Sequence, residues 1–248
     1  MHPDWIVPDW PAPAQVQALC TTRAGGVSHP PYASLNLGDH VADAPADVAR
    51  NRALLAQAVQ VRPVYLQQVH GNGLLELDGD TPDGLAADAC STAALGVACA
   101  IMVADCLPVL FTDASGSRVA AAHAGWRGLA GGVLASAVAA FGAPAGPLLA
   151  WLGPCIGPGA FEVGAEVKAA FEAQDAGAAA CFVPAAAPGK WLADLPALAR
   201  RQLAQSGVTQ VYGNDGSETW CTVRNASRFF SHRRDRVSGR FAALAWLR

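Results

Sequence analysis

Charged residues are scarce in this sequence, and lysine is almost missing. Only 15% of the 248 residues are charged, and the 17 basic residues divide into 15 Arg and 2 Lys. With 20 acidic residues the formal net charge is −3, and the chain contains no basic block. Nucleic-acid binding needs such a block or patch, so the composition excludes nucleic acid as an expected partner. A small anion site is still compatible with it, because that depends on where single arginines lie.

The sequence also lacks a long unbroken hydrophobic run. Residues 128–161 carry no charge, but Gly and Pro interrupt them repeatedly from Gly142 onward, which leaves residues 129–141 as the longest piece. A helix that spans a bilayer needs about 20 apolar residues. The first residues have neither the basic start nor the apolar stretch of a secretory signal. We therefore expect no membrane partner and a cytoplasmic location.

Closely spaced cysteines are missing as well. The seven cysteines form no Cys-x-x-Cys pair and stand far apart, at Cys20, Cys90, Cys99, Cys106, Cys155, Cys181 and Cys221. A chain of this size can build a core without disulfides, so a disulfide framework is not expected. Most of these thiols should be small buried hydrophobic groups, and a functional cysteine therefore needs its own argument.

The hydrophobic pattern predicts a mixed α/β (α+β) fold in one domain over residues 1–248. Hydrophobic residues make up 52% of the sequence, which is enough for a large core. Helices are predicted over residues 47–59, 126–141, 162–174 and 192–206, with Gly142 and Pro144 ending the second. Strands are predicted over residues 16–22, 63–69, 73–77, 96–103, 108–112, 118–122, 148–152, 208–213 and 240–247. The polar residues 113–117 predict a hairpin turn, and the strand–helix–strand order that follows predicts a crossover connection.

Polar residues interrupt the apolar strands at three places: residues 67–71 (QQVHG), 104–108 (ADCLP) and 123–128 (HAGWRG). His70, Cys106 and His123 supply two imidazoles and one thiolate from these segments. Three nitrogen and sulfur ligands from separate strand ends are typical of a catalytic zinc site, whose fourth position stays open. The alternative for each residue alone is a hydrogen-bonded or packing role, and the spacing does not decide between the two.

A cysteine hydrolase is a second interpretation of the same residues. Cys106, His123 and Asp105 can be drawn as nucleophile, base and orienting carboxylate. Because Asp105 is adjacent to Cys106 in the sequence, their side chains point to opposite faces of an extended chain, and a direct triad is awkward. A thiolate held by a metal is also occupied as a ligand.

Several segments together resemble the YfiH/YlmD family, also called the laccase-domain or polyphenol oxidase family and now regarded as purine nucleoside phosphorylases. The resemblance covers nearly the whole chain. Its motifs are residues 21–28 (TTRAGGVS), 34–38 (SLNLG), 68–71 (QVHG), 87–89 (ADA), 104–108 (ADCLP), 123–128 (HAGWRG), 153–158 (GPCIGP), 161–164 (FEVG), 229–235 (FFSHRRD) and 238–240 (SGR). One departure is His232, where the family motif has Tyr.

The resemblance implies a fold in which β-sheets pack between helices, with zinc on His70, Cys106 and His123. It also implies phosphorolysis of adenosine, inosine, guanosine and S-methyl-5'-thioadenosine, together with deamination of adenosine. The expected partners are thus small purine nucleosides and phosphate. The departure at His232 affects a residue expected at the rim of the site, and no zinc ligand.

These activities assign expected roles to further residues. Zinc deaminases use a carboxylate outside the ligand set to move a proton, and Asp88 or Asp105 is the expected group. Phosphorolysis needs a phosphate held beside the ribose. Arg23, which precedes two glycines at positions 25 and 26, is the expected phosphate clamp, with Arg127 and the pair Arg233–Arg234 as further candidates.

Two other functions remain open at the sequence level. A zinc amidohydrolase acting on a peptidoglycan precursor or a peptide amide would use the same ligands, and a purely structural zinc would need no substrate. A copper polyphenol oxidase is disfavoured, because six histidines are too few for a multicopper site. Copper would occupy the zinc ligands only adventitiously.

Overall fold

Two β-sheets stack face to face in the protein, in a computed structural model that describes residues 2–143 and 146–248. The four-stranded sheet has the order β1 (Val16–Cys20), β13 (Phe241–Leu247), β5 (Val97–Val103), β2 (Arg62–Tyr65). The six-stranded sheet has the order β12 (Gln210–Gly213), β8 (Leu148–Leu152), β6 (Leu107–Asp113), β7 (Val119–Ala124), β4 (Ala89–Thr92), β3 (Leu74–Glu76). A small third sheet contains β10 (Phe182–Pro184), β11 (Lys190–Ala193) and β9 (Glu162–Gly164).

Helices cover the outer faces of the two stacked sheets. The helix α1 (Pro45–Val59) packs on the four-stranded sheet, and its Leu55 and Val59 share one apolar cluster with Leu244 of β13. The other side is covered by α2 (Trp126–Ala130), α3 (Val133–Ala139), α4 (Ala165–Glu172) and α5 (Leu195–Gln205). A short helix α6 (His232–Asp235) and 3₁₀ helices over Ala176–Cys181 and Glu218–Trp220 complete the described elements. The predicted mixed fold with sheets between helices is confirmed.

Strand β5 shows why residues 97–103 form an unbroken apolar run. Cys99 and Ile101 point into the cluster between the two sheets, whereas Ala98 and Met102 point into the cluster under α1. Both faces of the strand are therefore buried, and such strands show no alternation of polar and apolar residues. The chain leaves β5 at Val103 and enters β6 at Leu107, so residues 104–106 carry it from one sheet to the other.

The predicted hairpin and the predicted crossover are both present. Strands β6 and β7 pair antiparallel, and the Asp113 carboxylate closes the turn by accepting hydrogen bonds from Ser115 and Ser117. Strand β8 then pairs antiparallel with the opposite edge of β6. Strands β7 and β8 consequently run parallel, and α2 and α3 form the crossover between them.

The helix predicted over residues 126–141 is in fact two helices. α2 ends at Ala130 and α3 begins at Val133, and Gly132 between them has a φ of 88°. Glycine adopts this left-handed conformation without steric penalty, so the chain can turn here and start a new helix. α3 ends at Ala139; Pro144, the predicted stop, lies outside the described residues.

Several further elements differ from the sequence prediction. The segment predicted as a helix over residues 162–174 begins with strand β9, and the helix predicted over 192–206 begins only after β11. Asp194 caps α5, because its side chain accepts a hydrogen bond from the backbone amide of Ala197. Strands β4, β10 and β11 were not predicted. Strands β4 and β9 pair with segments distant in the sequence, which local periodicity does not report.

Among the described residues, none of the helices has the length and apolar character needed to cross a membrane.

Candidate metal and substrate site

Three predicted ligand residues converge where the chain passes from the four-stranded sheet to the six-stranded sheet. Cys106 lies in the turn between β5 and β6, His123 lies near the end of β7, and His70 lies in the loop after β2. One ligand atom from each residue can be chosen so that all three lie within 4.8 Å of one another. The Cys106 Sγ is 3.8 Å from the His70 Nε2, and the two imidazole rings meet edge to face with centroids 4.7 Å apart.

The Asp88 carboxylate accepts hydrogen bonds from both histidines. Its Oδ1 accepts hydrogen bonds from the backbone amide of His70 at 2.9 Å and from the Nδ1 of His123 at 2.8 Å. Its Oδ2 accepts from the backbone amides of Val69 at 3.1 Å and Gly71 at 2.7 Å. His70 has a φ of 61°, a conformation that is costly for a residue with a Cβ. The carboxylate thus stabilises a strained loop in the shape that presents His70.

The same carboxylate fixes the tautomer of His123. An ionised carboxylate can only accept, so the Nδ1 of His123 carries the hydrogen and its Nε2 is left as a ligand atom. Burial alone would raise the pKa of Asp88, but the hydrogen bonds from His123 and from the loop amides outweigh burial and lower it. A histidine ligand oriented by a carboxylate is a recurrent arrangement at metal sites.

Cys106 is the one half-buried cysteine, and the other six are buried, as expected for packing residues. Burial opposes ionisation of Cys106, but His123 and His70 favour the thiolate and lower the pKa of Cys106 to about 6. In return, the thiolate and Asp88 raise the pKa of His123 against the effect of burial. Without a metal the site is therefore a thiolate beside an imidazolium.

This ion pair leads to a prediction for the metal-free protein. As the pH rises through about 6, Cys106 should lose its proton, so its alkylation by iodoacetamide should reach half of its maximal rate near that pH. An ordinary thiol would reach it about two pH units higher. Peptide mass spectrometry after timed alkylation from about pH 5 to about pH 9 measures the profile of Cys106 itself. A midpoint above about pH 8 would contradict the arrangement, and bound metal should suppress the reaction.

Gly125 leaves room for the ligands. A Cβ at this position would lie 2.8 Å from the Cys106 Sγ and 3.1 Å from the His70 Cδ2. Both distances are below ordinary contact distances, so a side chain here would displace the thiol. Gly125 also precedes α2, so the chain turns from β7 into this helix directly beside the site.

The donor set fits a single metal ion. Two imidazole nitrogens and one thiolate are ligands for zinc or copper, and three protein ligands leave one position open to a substrate. Among the described residues, this is the one cluster of at least three His, Cys, Asp or Glu side chains close enough to share an ion.

The site opens into a cavity of about 440 Å³. Its basic lining consists of His40, Arg127, His232, Arg233 and Arg240 together with the ligand histidines, and its apolar lining consists of Met102, Val103, Ala104, Trp126, Ile156, Phe161 and Leu195. Such a volume, with mostly apolar walls and a few convergent polar groups, is typical of a small-molecule site.

The two predicted acid–base carboxylates occupy different positions. Asp105 lines the cavity. Its Oδ1 accepts a hydrogen bond from the Thr222 hydroxyl at 2.6 Å, and its Oδ2 accepts from the backbone amide of Arg233 at 2.6 Å. Asp88 is fully buried behind the histidines, with both oxygens engaged. The carboxylate that contacts His123 is therefore Asp88, and the triad drawn through Asp105 is contradicted by these contacts.

The predicted arginines are also distributed unevenly. Arg23 does not line the cavity: it donates to the carbonyls of Ala33 and Ala226 and stacks on Phe230, so it joins three chain segments. The guanidinium of Arg234 is likewise used in the fold, on the carbonyls of residues 222, 223 and 229. Arg127 and Arg233 do line the cavity, the first over the Trp126 ring and the second over the Phe161 ring.

Besides His40, sequence reasoning missed two polar residues of the lining, Gln68 and Arg240. The Gln68 side chain donates to the carbonyl of Met102 and accepts from its amide, which fixes the end of β5 beside the site. Arg240 stands at the entrance to β13. Both belong to motifs that carry the family resemblance, and that membership was the signal available in the sequence.

Comparison with known proteins identifies the family. A family model described as "Multi-copper polyphenol oxidoreductase laccase" matches residues 17–248. Purine nucleoside phosphorylase PA4543 of Pseudomonas aeruginosa is 54% identical over 243 residues, which cover 98% of each chain. Purine nucleoside phosphorylase YfiH of Escherichia coli is 50% identical over 244 residues, again 98% of each chain. The crystal structure of Neisseria meningitidis protein NMB0706 matches with a TM-score of 0.91 at 50% identity, covering 98% of this chain and 99% of that one. The resemblance in the motifs is thereby confirmed, and the chain belongs to the YfiH family of laccase-domain proteins.

Proposed function

We propose that this protein is a zinc-dependent purine nucleoside phosphorylase that also deaminates adenosine. The observation that carries the proposal is the opening of the His70–Cys106–His123 cluster into a cavity with both a basic and an apolar lining. A purine nucleoside has a base with flat aromatic faces and phosphate is an anion, so the apolar lining suits the base and the basic lining suits phosphate. The names of the curated relatives, 46–54% identical over nearly the whole chain, support the same activity.

Zinc is the metal we propose for this site. Bound on His70, Cys106 and His123, it would supply Lewis-acid chemistry and make a bound water more acidic. The description of the family model names copper, and copper also binds nitrogen and sulfur donors. A multicopper oxidase, however, needs several such clusters, and residues 2–143 and 146–248 contain one. We therefore assign polyphenol oxidation no role.

The apolar lining is suited to the purine. Ile156, Phe161 and Met102 offer flat or flexible apolar contacts, and a purine ring gains stacking energy against such groups. Adenosine, inosine, guanosine and S-methyl-5'-thioadenosine share this ring, so we propose all four as substrates. In phosphorolysis a phosphate oxygen forms the bond to C1′ while the bond from C1′ to the base breaks, and the base leaves with the proton from phosphate.

Deamination places a different demand on the residues. The oxygen of water adds at C6 of adenosine and ammonia leaves, so a group beside the site must take up and return a proton. Asp105 is the carboxylate that lines the cavity, and we propose it for this step. Asp88 does not line the cavity, and we assign it a positioning role through its hydrogen bond with His123.

The decisive experiment incubates metal-assayed protein with adenosine, with and without phosphate. Adenine and ribose 1-phosphate should form only when phosphate is present, whereas inosine should form in both reactions. Chromatography of the products measures both activities in one sample. Inert nucleosides with a zinc-loaded protein would overturn the proposal, and release of an amino acid from a peptidoglycan-type amide would then support the amidohydrolase.

A further inference from the structure

Arg240 is a cavity residue that is neither a candidate metal ligand nor a candidate proton carrier. It follows Ser238 and Gly239 and immediately precedes β13, which pairs with β5, the strand that leads to Cys106. Its side chain lines the same cavity as the three metal-ligand residues. Burial lowers the pKa of Arg240, and the charges that raise it are those of Cys106 and Asp105. A guanidinium keeps its proton at neutral pH even so, and the residue therefore brings a fixed positive charge to the metal cluster.

The backbone of Arg240 is held by a segment at the other end of the chain. The Asn36 Oδ1 accepts a hydrogen bond from the amide of Arg240 at 2.8 Å, and the carbonyl of Arg240 accepts one from the amide of Leu37. Asn36 is fully buried, and its Nδ2 donates to the carbonyl of Gly38 and to Asp43. Residues 34–38, one of the family motifs, therefore act as a clamp on Arg240.

Gly38 lets the side chain lie flat against this clamp. A Cβ at Gly38 would lie 2.8 Å from the Cγ of Arg240. The Nη1 of Arg240 donates to the carbonyls of Ser238 and Gly239 at 2.9 Å and 3.1 Å. The arginine is thus fixed at its stem and at one nitrogen, and it needs little further ordering to bind a ligand.

The rest of the guanidinium is available. In the part of the chain that the structure describes, no carboxylate lies within salt-bridge distance of Arg240, and its Nε and Nη2 have no hydrogen-bond partner. These two nitrogens form the fork that matches two oxygens of one anion. By contrast, the Nε and Nη1 of Arg23 donate hydrogen bonds to carbonyls outside the cavity.

We propose that Arg240 binds the phosphate co-substrate of phosphorolysis, held ready by the clamp of residues 34–38. The inference rests on the proposed function and replaces Arg23 as the expected phosphate residue. Two phosphate oxygens bind Nε and Nη2, and a third oxygen is free to form the bond to C1′ as the base departs. The half-buried position strengthens the interaction, because water competes less there than at an exposed arginine.

The test compares Arg240→Met and Arg240→Lys with the wild-type protein. Arg240→Met keeps much of the apolar stem and removes the fork, so the KM for phosphate should rise about 10- to 100-fold. The KM for the nucleoside should change less than about threefold, since the base contacts are elsewhere. Arg240→Lys keeps the charge without the two-nitrogen fork, so its KM for phosphate should lie between those of the wild-type protein and Arg240→Met. Arg50→Met, at an exposed position on α1, is the control for the loss of one positive charge.

Two measurements keep the test decisive. Thermal melting and zinc content show whether each variant is folded and loaded. Calorimetric titration with inorganic phosphate measures binding without turnover, so it applies even if the wild-type protein forms no ribose 1-phosphate, which would overturn the proposed function alone. A wild-type phosphate affinity in folded Arg240→Met, or a larger loss in Arg127→Met or Arg233→Met, would overturn the assignment to Arg240.

Discussion

Replacing Cys106 with alanine should abolish stoichiometric zinc binding and lower phosphorolysis and deamination by roughly a thousandfold or more. The thiolate is one of three candidate ligands, and two imidazoles alone would hold zinc weakly. A bound metal contributes several kcal/mol to transition-state stabilisation, and each loss of about 1.4 kcal/mol is a tenfold loss of rate. Metal analysis of the purified variant and product chromatography measure the two effects.

Controls separate this role from packing. Cys181→Ala removes a thiol that is buried in the apolar cluster to which α5 contributes, far from the ligands in the sequence. This variant should keep both zinc and activity. Cys106→Ser keeps the size of the side chain but provides a poor ligand, so it should behave like Cys106→Ala. A Cys106→Ala protein with full activity would show that the cluster is not catalytic.

The same variant distinguishes a catalytic from a structural metal. Strands β5, β6 and β7 are buried from end to end, and of the three ligand residues only Cys106 packs against the apolar clusters on the faces of the six-stranded sheet, at the margin of one of them. Cys106→Ala and chelated wild-type protein should therefore lose activity while keeping a cooperative melting transition. Global unfolding on chelation would instead indicate a structural zinc.

The three candidate metal ligands could be singled out from the sequence because their residue types are a local signal, and the family motifs, not their spacing, favoured a metal site over packing roles. An imidazole or a thiol at the end of an apolar run is visible as a break in the run, and His70, Cys106 and His123 each follow or end a buried strand. The apolar run over residues 96–103 likewise predicts a strand, and the structure buries both faces of that strand. These features depend on residue type and on neighbours within a few positions.

The residues around the ligands could not be assigned in this way. The sequence leaves Asp88 and Asp105 as equal candidates for the proton carrier, because the contacts of Asp88 with Val69, His70 and Gly71 depend on how a loop 17 to 19 positions away wraps around it. Arg240 is held by Asn36, 204 positions away. Arg23 had the right residue type beside two glycines, yet the fold directs it to carbonyls of residues 33 and 226. Long-range contacts decide each of these roles.

Asp88→Asn should lower zinc affinity by about 10- to 100-fold and destabilise the metal-free protein by roughly 3 kcal/mol. The amide that replaces the carboxylate has one accepting oxygen, whereas Asp88 accepts four hydrogen bonds on two oxygens. His123 then loses the group that fixes its tautomer, and the loop of His70 loses what holds its left-handed backbone. Competition for zinc with a chelator and denaturant unfolding of the metal-free protein measure the two losses.

The stability difference should depend on pH in one direction. The pKa of Asp88 is lowered in the folded protein, so its contribution is present above the ordinary carboxyl range and disappears as the pH falls through the folded-state pKa. Wild-type protein and Asp88→Asn should therefore converge in stability at acid pH and differ most near neutrality.

Asp113→Asn is the matched control, since Asp113 is also buried and accepts several hydrogen bonds, but in the turn between β6 and β7 at the end remote from Cys106. It should lose stability while its zinc affinity stays at the wild-type level. A loss of zinc affinity equal in the two variants would mean that Asp88 acts only through general stability. A selective loss in Asp88→Asn would show that the carboxylate positions the ligands, because only that variant removes the partner of His123.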